Sequence, residues 1–413
     1  MTAPGGMITY AEHLADVLAA VSPLSPLELG LLDAHGCVLA EDVVSPSDMP
    51  RFDNSAMDGY AVRAEDVAGA SDDAPVVLPV TGDVAAGPAS PLRVMPGVCV
   101  RIMTGAMLPA GADSVVPVEH TDGGVAQVAV RRPAQPGAHV RRAGEDVRAG
   151  ETVLTAGTHL GAAQVGLAAA AGRARLVVRP RPRVVVVSTG SELVDAGQPA
   201  GPGQVPDSNS WALTAAAVEA GAIAYRVGIV PDDPRQLMST LEDQLVRADV
   251  LVTSGGVSVG AYDVVKEVLS RLGTVRFPSV AMQPGKPQAF GTIGPDATPV
   301  FGLPGNPVSA LVSFEAFVRP ALRRMLGAEQ VERPRVRAAA TERLTSPPGR
   351  RSFLRVHLEV RDGVYAVTPV SGTGSHLLAG MTRANALAMV PEDVTEVPEG
   401  SAVEVLVLER RQR

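Results

Sequence analysis

The feature that most constrains the fold of this chain is a segment, starting near residue 183, in which apolar runs alternate with stretches of helical spacing. The runs are apolar at consecutive positions, as in VVVV at 184–187, so both faces of each strand must be buried. Strands of this kind that alternate with helices form a parallel sheet covered on both sides. The sequence therefore predicts a doubly wound α/β domain at residues 181–328, with helices near 209–220, 234–247, 263–272 and 307–326.

The rest of the chain predicts three further domains. Short Val-rich runs broken by Gly and Pro indicate a β-rich insert domain at residues 46–146. Residues 1–45 together with 147–180 indicate a helical/linker domain, whose first helix follows a Thr9 and Glu12 capping-box pattern. Alternating strands separated by turn residues indicate a small β-domain at 332–413. The predicted fold class is α/β plus β.

Composition favours a compact protein with a small-molecule ligand. Of the 413 residues, 46% are hydrophobic and 19% charged, which suits several buried cores. The formal net charge of −8 argues against a nucleic acid or an anionic membrane as partner, since both favour concentrated Lys and Arg. Cys37 and Cys99 form no CxxC pair, and no signal-peptide or membrane-spanning pattern occurs. We expect a cytoplasmic protein with two reduced thiols.

Three predicted strands of the α/β segment end in small, hydroxyl-bearing, glycine-rich loops, at 188–192, 254–260 and 304–309. Ligands of open α/β sheets bind beyond the carboxyl ends of the strands, and glycine lets the backbone approach a phosphate closely. One such loop alone is more simply a tight turn with an N-cap serine, but three together favour a polyanionic ligand. Neither a GxxxxGK[ST] nor a GxGxxG motif is present, which argues against a standard NTPase or NAD enzyme. The candidate substrate- and nucleotide-binding residues are Thr189, Gly190, Ser191, Ser254, Gly255, Gly256, Ser258, Gly260, Pro304, Gly305, Asn306, Pro307 and Ser309.

Carboxylates accompany these loops. Glu192 follows the first loop, Asp232 and Asp233 follow the strand at 225–230, and Asp263 ends the glycine loop. Mg²⁺ binds proteins through one or two carboxylates plus substrate oxygens, so the pattern suits a magnesium site. The alternative is helix capping, which is equally open for Asp232 and is favoured for Asp233, because Asp233 precedes a proline at a helix start.

Lysine is rare in this chain. Only Lys266 and Lys286 occur beside 34 arginines. Lys286 lies in the segment MQPGKP, where two prolines stiffen the loop, and a compact ammonium there suggests pairing with an oxyanion. Lys266 has helical spacing and is interpreted as a solvated charge.

Taken together, seven segments resemble the molybdopterin molybdotransferases, the MoeA family that includes the gephyrin E domain. Three lie in the insert and its border, where each read alone would pass as a turn, and four lie in the α/β segment. In chain order they are NSAMDGYA (54–61), RIMTGAMLP (101–109), GED (144–146), STGSEL (188–193), SGGVSVGAYD (254–263), MQPGKP (282–287) and GLPGNPVS (302–309).

The resemblance implies an elongated homodimer of four-domain subunits, with the α/β domain of one subunit facing the β-rich insert of the other. It also implies the reaction: adenylylated molybdopterin and molybdate bind, a divalent cation assists cleavage of the adenylyl bond, and molybdenum enters the dithiolene. The hypothesis for Asp58 and Glu192, which lie in different loops, is that they hold Mg²⁺ or shape the metal pocket. The residues implied as catalytic are Asp58, Thr104, Glu192, Asp232, Asp263 and Lys286, with Asp146 as a further match. Those implied to bind molybdate are Lys286, Arg350, Arg355 and Ser375, with Arg351 in the same segment.

One departure and two alternatives accompany this resemblance. Many relatives have lysine where this chain has Gln283, which implies one cation fewer around the oxyanion. A molybdopterin adenylyltransferase would share the glycine-loop domain without the flanking β-domains, and a gephyrin-type scaffold would bind only protein partners. Contact with the adenylyltransferase is a further partner that the resemblance suggests.

Overall fold

The computed structural model describes residues 6–88, 91–256, 264–370, 372 and 374–408. They form two compact units. The first contains Met1–Leu27, Gly36–Ala40 and Val177–Arg413, and the second contains Glu28–His35 and Glu41–Leu176. In the described part of the chain, every helix is too short or too polar to cross a lipid bilayer. The four-domain division stays a prediction.

The N-terminal helix α1 (Tyr10–Ala19) begins at the predicted capping box. The Thr9 hydroxyl accepts a hydrogen bond from the Glu12 backbone N–H at 3.1 Å, and the Glu12 carboxylate accepts one from the Thr9 N–H at 2.8 Å. These contacts satisfy two backbone donors that a helix start leaves unpaired. Three short strands follow: β1 (Leu27–Gly30), β2 (Val38–Leu39) and β3 (Val43–Val44).

The second unit is built around a mixed five-stranded sheet with the order β8-β5-β7-β6-β9. Alternate residues of β5 enter different cores: Tyr60 and Val62 pack in one, and Ala61 packs in the other. A sheet buried on both faces explains the Val-rich runs of this region. Its strands are β4 (Asn54–Ser55), β5 (Gly59–Val62), β6 (Val76–Val84), β7 (Cys99–Ile102), β8 (Ser114–Pro117), β9 (Gln127–Val130) and β10 (Val140–Arg141), followed by β11 (Thr152–Leu154) and α2 (Ala162–Ala170).

Strand β12 (Arg175–Arg179) leads into the α/β part of the first unit, whose five-stranded sheet has the order β16-β13-β17-β20-β19. The first four strands are parallel and β19 is an antiparallel edge. Val184 and Val186 pack in one core, and Val185 and Val187 in the other, so the unalternating run is explained. The elements are β13 (Arg183–Thr189), β14 (Leu193–Val194), β15 (Val205–Pro206), α3 (Asn209–Glu219), β16 (Ile223–Val230), α4 (Pro234–Leu245), β17 (Val250–Ser254), α5 (Val264–Leu272), β18 (Met282–Gln283), β19 (Ala289–Ile293) and β20 (Thr298–Leu303).

The helix predicted at 307–326 is divided into α6 (Pro307–Ser313), a π-helical turn (Phe314–Val318) and α7 (Arg319–Met325). Pro320 lacks the backbone N–H that would bond to the carbonyl four residues earlier, which accounts for the irregular turn at this point.

The C-terminal β-part closes on itself. Strands follow the order β18-β23-β24-β21-β27-β25, and β25 also pairs with β23. Because β18 pairs with β23, the MQPGKP segment is attached to this domain. The apolar runs at 353–360, 364–370, 386–391 and 401–409 predict four strands. The structure contains four corresponding strands and adds α8 and three further strands. The elements are β21 (Arg335–Ala340), β22 (Leu344–Thr345), β23 (Arg351–Arg361), β24 (Val364–Pro369), α8 (Leu378–Arg383), β25 (Ala386–Val390), β26 (Glu396–Val397) and β27 (Ala402–Val407).

Candidate functional site

A cavity of about 860 Å³ lies beyond the carboxyl ends of β13, β17 and β20. Parallel strands end at one edge of the sheet, so the three predicted loops converge there. The predicted residues in its wall are Thr189, Gly190, Glu192, Asp232, Ser254, Gly255, Gly256, Pro304, Gly305, Asn306 and Pro307. Ser309 is instead buried in α6. Ser258, Gly260 and Asp263 lie outside the described residues.

The loop after β13 is tied to the loop after β16 by two reciprocal hydrogen bonds. The Ser191 N–H donates to the Asp232 carboxylate at 3.0 Å, and the Asp232 N–H donates to the Ser191 hydroxyl at 3.1 Å. Asp232 therefore orders a loop of the cavity rather than capping α4. Asp233 is the cap, as predicted, and accepts from the backbone of Arg235 and Gln236 at 2.9 Å each.

The loop after β17 approaches the end of β13 closely. The Thr189 hydroxyl donates to the Ser254 carbonyl at 3.3 Å. Gly255 has φ +96°, and a Cβ atom there would lie 2.6 Å from the Thr189 carbonyl oxygen. Only glycine fits this approach without displacing a backbone atom.

A residue that the sequence interpretation missed joins the second and third loops. The Asn209 amide donates to the Ser254 hydroxyl and to the Gly305 carbonyl, both at 2.7 Å. Asn209 begins α3, so the helix start carries the link. The only signal in the sequence is a run of polar residues, DSNS at 207–210, before a helical stretch.

A buried carboxylate at the cavity wall was also missed. Asp207 is 2% exposed and accepts hydrogen bonds from the Ser188 hydroxyl and the Ser210 N–H, both at 3.0 Å. Arg226 lies 3.6 Å away and neutralises part of its charge. Buried charges persist when they are paired and hydrogen-bonded in this way.

A second cavity of about 610 Å³ brings together two of the predicted oxyanion ligands, Arg350 and Arg355. The Arg350 guanidinium donates to the Gln283 side-chain oxygen at 3.3 Å. Arg355 is 6% exposed and donates to the carbonyls of Gly372, Gly374 and Leu377, and burial lowers its pKa. Arg351 instead pairs with Glu392 at 3.2 Å.

Lys286 and Ser375 lie in neither cavity wall. Lys286 is exposed on a turn that the buried Gln288 holds through a 2.7 Å hydrogen bond to the Gly285 carbonyl. Ser375 accepts from the Asn306 amide at 2.9 Å and, through its carbonyl, from the Val308 N–H at 3.0 Å. Its present contacts are therefore with the loop after β20.

In the second unit, the structure joins Asp58 and Thr104. The Asp58 carboxylate accepts from the Thr104 N–H at 2.6 Å and from its hydroxyl at 2.8 Å. These hydrogen bonds hold the pKa of Asp58 below its usual range. Asp146 has a different partner: its N–H donates to the Met49 carbonyl at 3.1 Å.

The oxygen-bearing side chains of the larger cavity suit a Mg²⁺ ion that is bound partly by the protein and partly by a phosphate ligand. Nowhere in the described ranges do three or more His, Cys, Asp or Glu residues form a metal cluster. However, Glu192 and Asp232 both line the cavity, and Mg²⁺ commonly uses one or two carboxylates together with substrate phosphates.

The chain was compared with known families, curated proteins and solved structures. Three family models match it: "MoeA N-terminal region (domain I and II)" at residues 8–172, "Probable molybdopterin binding domain" at 185–324, and "MoeA C-terminal region (domain IV)" at 337–408. Molybdopterin molybdenumtransferase 2 of Mycobacterium tuberculosis is 49% identical over 97% of this chain and 99% of its own length. Molybdopterin molybdenumtransferase of a Nostoc species is 40% identical over 91% of this chain and 87% of its own length.

Solved structures of MoeA proteins are similar to this chain over nearly its whole length. A molybdopterin biosynthesis MoeA protein from Pyrococcus horikoshii matches with a TM-score of 0.78 at 35% identity, over 98% of this chain and 99% of that one. A second structure from that organism gives a TM-score of 0.76 at 29% identity, over 97% and 100% of the two chains. The geometry, the three family models and relatives of nearly equal length agree, and the chain belongs to the MoeA family of molybdopterin molybdenumtransferases.

Proposed function

We propose that this chain is a transferase that inserts molybdenum into adenylylated molybdopterin, releasing AMP and forming the molybdenum cofactor. The observation that carries the proposal is the convergence of three glycine- and hydroxyl-bearing loops on one cavity. A cavity of this kind suits a ligand with phosphates. The names of the full-length relatives support molybdopterin as the second part of the substrate.

The larger cavity is assigned the nucleotide and its phosphates. Cleaving a phosphate anhydride requires positioning and charge stabilisation more than a covalent nucleophile. Loops held by Asn209 and by the Ser191–Asp232 pair supply that positioning. Asp263, which follows the glycine loop, is proposed to act at the same end of the substrate.

Mg²⁺ is proposed as the cofactor, held by Glu192 of one copy and Asp58 of a second copy together with substrate phosphates, and it would supply positive charge to them when bound. The ionised state of Asp58 suits this role, because its hydrogen bonds to Thr104 favour the carboxylate.

Molybdate is proposed to bind through Lys286, Arg350, Arg355 and Ser375. Oxyanions are bound by charge-assisted hydrogen bonds from such groups. Arg350 and Arg355 share the smaller cavity, where Gln283 replaces a cation with a neutral acceptor for Arg350.

We also propose that the protein works in the cytoplasm as a homodimer, with contact to the adenylyltransferase that makes its substrate. The resemblance to the family supports these three statements.

The test supplies purified protein with adenylylated molybdopterin, molybdate and Mg²⁺. The expected result is molybdate-dependent release of AMP, together with a cofactor that activates a molybdenum-free apoenzyme. Consumption of ATP with unadenylylated molybdopterin would indicate an adenylyltransferase. Substrate binding without AMP release would indicate a scaffold, and either outcome would overturn the proposal.

A further inference from the structure

The larger cavity has a wall that comes from the C-terminal part of the chain. His376 lines it together with Asn306 and Pro307, although it is about seventy residues beyond them in sequence. The described residues around it, Gly372 and 374–377, are here called the C-terminal strap. No sequence motif of the α/β domain includes this histidine.

The described wall of the larger cavity contains acidic residues but neither Lys nor Arg to pair with an anionic ligand. Among the wall residues that the structure describes, Glu192, Asp207 and Asp232 are acidic and none is Lys or Arg. His376 is the one wall residue in this set that can carry a positive charge. A phosphate in this cavity would otherwise meet only neutral donors and like charges.

The strap is held against the cavity at both ends. Ser375, next to His376, accepts the hydrogen bonds from Asn306 and Val308 at 2.9 and 3.0 Å. The buried Arg355 guanidinium donates to the carbonyls of Gly372, Gly374 and Leu377, which flank Ser375 and His376 in sequence. Five hydrogen bonds on four strap residues hold this short segment, so the position of His376 is set by the fold.

We propose that His376 is a substrate-binding residue whose imidazole donates a hydrogen bond to the nucleotide phosphate. Imidazole can donate through either ring nitrogen, and a charged donor to phosphate makes a strong, short hydrogen bond. The identity of the ligand rests on the proposed function, whereas the role of His376 rests on the wall and the strap. Arg355 acts in this arrangement as a positioning residue.

The experiment measures the affinity of the full chain for AMP and for adenosine by titration calorimetry without Mg²⁺. For His376→Ala we expect the Kd of AMP to rise about tenfold, as for loss of one charge-assisted hydrogen bond, with the Kd of adenosine unchanged. His376→Arg should restore most of the affinity for AMP. His35→Ala, which changes an exposed histidine on a turn of the second unit, is the matched control and should bind both ligands like the wild type.

The outcomes separate this inference from the proposed function. If the wild type binds AMP and His376→Ala binds it equally well, the role of His376 is wrong and the nucleotide cavity stands. If His376→Ala raises the Kd of AMP and the Kd of adenosine by the same factor, the residue only shapes the cavity, and the proposed phosphate contact is wrong. If the wild type binds neither ligand, the nucleotide assignment and the inference both fail.

Discussion

At the scale of single residues, the two hydrogen bonds that Asp58 accepts from the Thr104 N–H and hydroxyl hold the pKa of its carboxyl group below the usual range. Thr104→Val removes the hydroxyl donor and leaves the backbone N–H, so we expect the pKa of Asp58 to rise toward its ordinary value. Thr104→Ser keeps the donor and should keep the lowered pKa. Carbon-13 NMR titration of the Asp58 carboxyl measures the change, and an equal pKa in the Val and Ser variants would show that the hydroxyl contributes nothing.

Asn209 is the residue on which the relative placement of two cavity loops depends. Asn209→Ala leaves the Ser254 hydroxyl and the Gly305 carbonyl without their shared donor, and a lost hydrogen bond of this kind is worth about 1 kcal/mol. We therefore expect AMP to bind roughly five- to tenfold more weakly, measured by calorimetry. Gln198→Ala, at an exposed loop position before α3, is the control. Wild-type affinity in Asn209→Ala would contradict the linking role.

The residues that sequence analysis identified and those that it missed differ in how they reach the cavity. Small residues at strand ends are recognisable because glycine and hydroxyl residues cluster in one loop. Asn209 acts through a single side chain on partners distant in sequence, such as Gly305, 96 residues beyond it. Asp207 likewise acts through its side chain, on Ser188 and Arg226 in neighbouring strands. No local pattern marks such a partner, and His376 was missed for the same reason.

At the scale of elements, the glycine loop after β17 depends on one close backbone approach. Gly255→Ala would place a methyl group 2.6 Å from the Thr189 carbonyl oxygen at a positive φ. Gly197 also has a positive φ, of 86°, but open space around its Cβ position, so Gly197→Ala should cost only the conformational strain of about 1–2 kcal/mol. We expect Gly255→Ala to lower the urea midpoint clearly more than Gly197→Ala does, followed by the fluorescence of Trp211 in α3. Equal urea midpoints of the two variants would mean that the loop after β17 moves away from Thr189 at no energetic cost, which would contradict the prediction.

Helix α1 carries a buried histidine that makes stability depend on pH. His13 is 3% exposed, lies 4.6 Å from the Phe317 ring between ring centroids, and burial lowers its pKa to about 4. The unfolded chain takes up a proton near the ordinary pKa of about 6.5, before the folded chain does, so stability falls as the pH drops from about 6.5 to 4. The full loss is on the order of 3 kcal/mol.

His13→Leu removes this titration and keeps an apolar side chain in the core. We therefore expect its urea midpoint, compared with that of the wild type, to improve progressively between pH 6.5 and pH 4. Above about pH 7.5 the wild-type imidazole is neutral in both the folded and the unfolded chain. In that range the difference in urea midpoint between the two proteins should not change with pH. A wild-type pH dependence that persists in His13→Leu would assign the effect to other groups.

Elements with strong periodicity were predicted well, and elements set by tertiary contacts were not. The runs of β13 and β17 are apolar on both faces, which only a covered sheet allows, and the capping box of α1 formed as predicted. In contrast, α8 has six residues and only one buried position, so no periodic signal marks it. The π-helical turn at Phe314–Val318 depends on Pro320 within an otherwise regular apolar stretch.

At the scale of the whole molecule, the sequence and the relatives both identify a molybdopterin molybdenumtransferase. The association of two copies of the chain is a proposal. Homodimer interfaces are only somewhat more apolar than the rest of the protein surface, so a single sequence carries little signal for them. The proposal places Asp58 of one copy and Glu192 of the other in the same active site. These residues belong to different compact units of the chain, which makes an exchange between copies testable by mutation.

The test uses a heterodimer in which one copy carries Asp58→Ala and the other carries Glu192→Ala, isolated through two different affinity tags. If each site takes Asp58 and Glu192 from different copies, one of the two sites is wild type and the other carries both substitutions. AMP release should then reach up to about half of the wild-type rate, while dimers with the same substitution in both copies stay inactive. If both residues of a site come from one copy, every site carries one substitution, and the heterodimer should be as inactive as its parents.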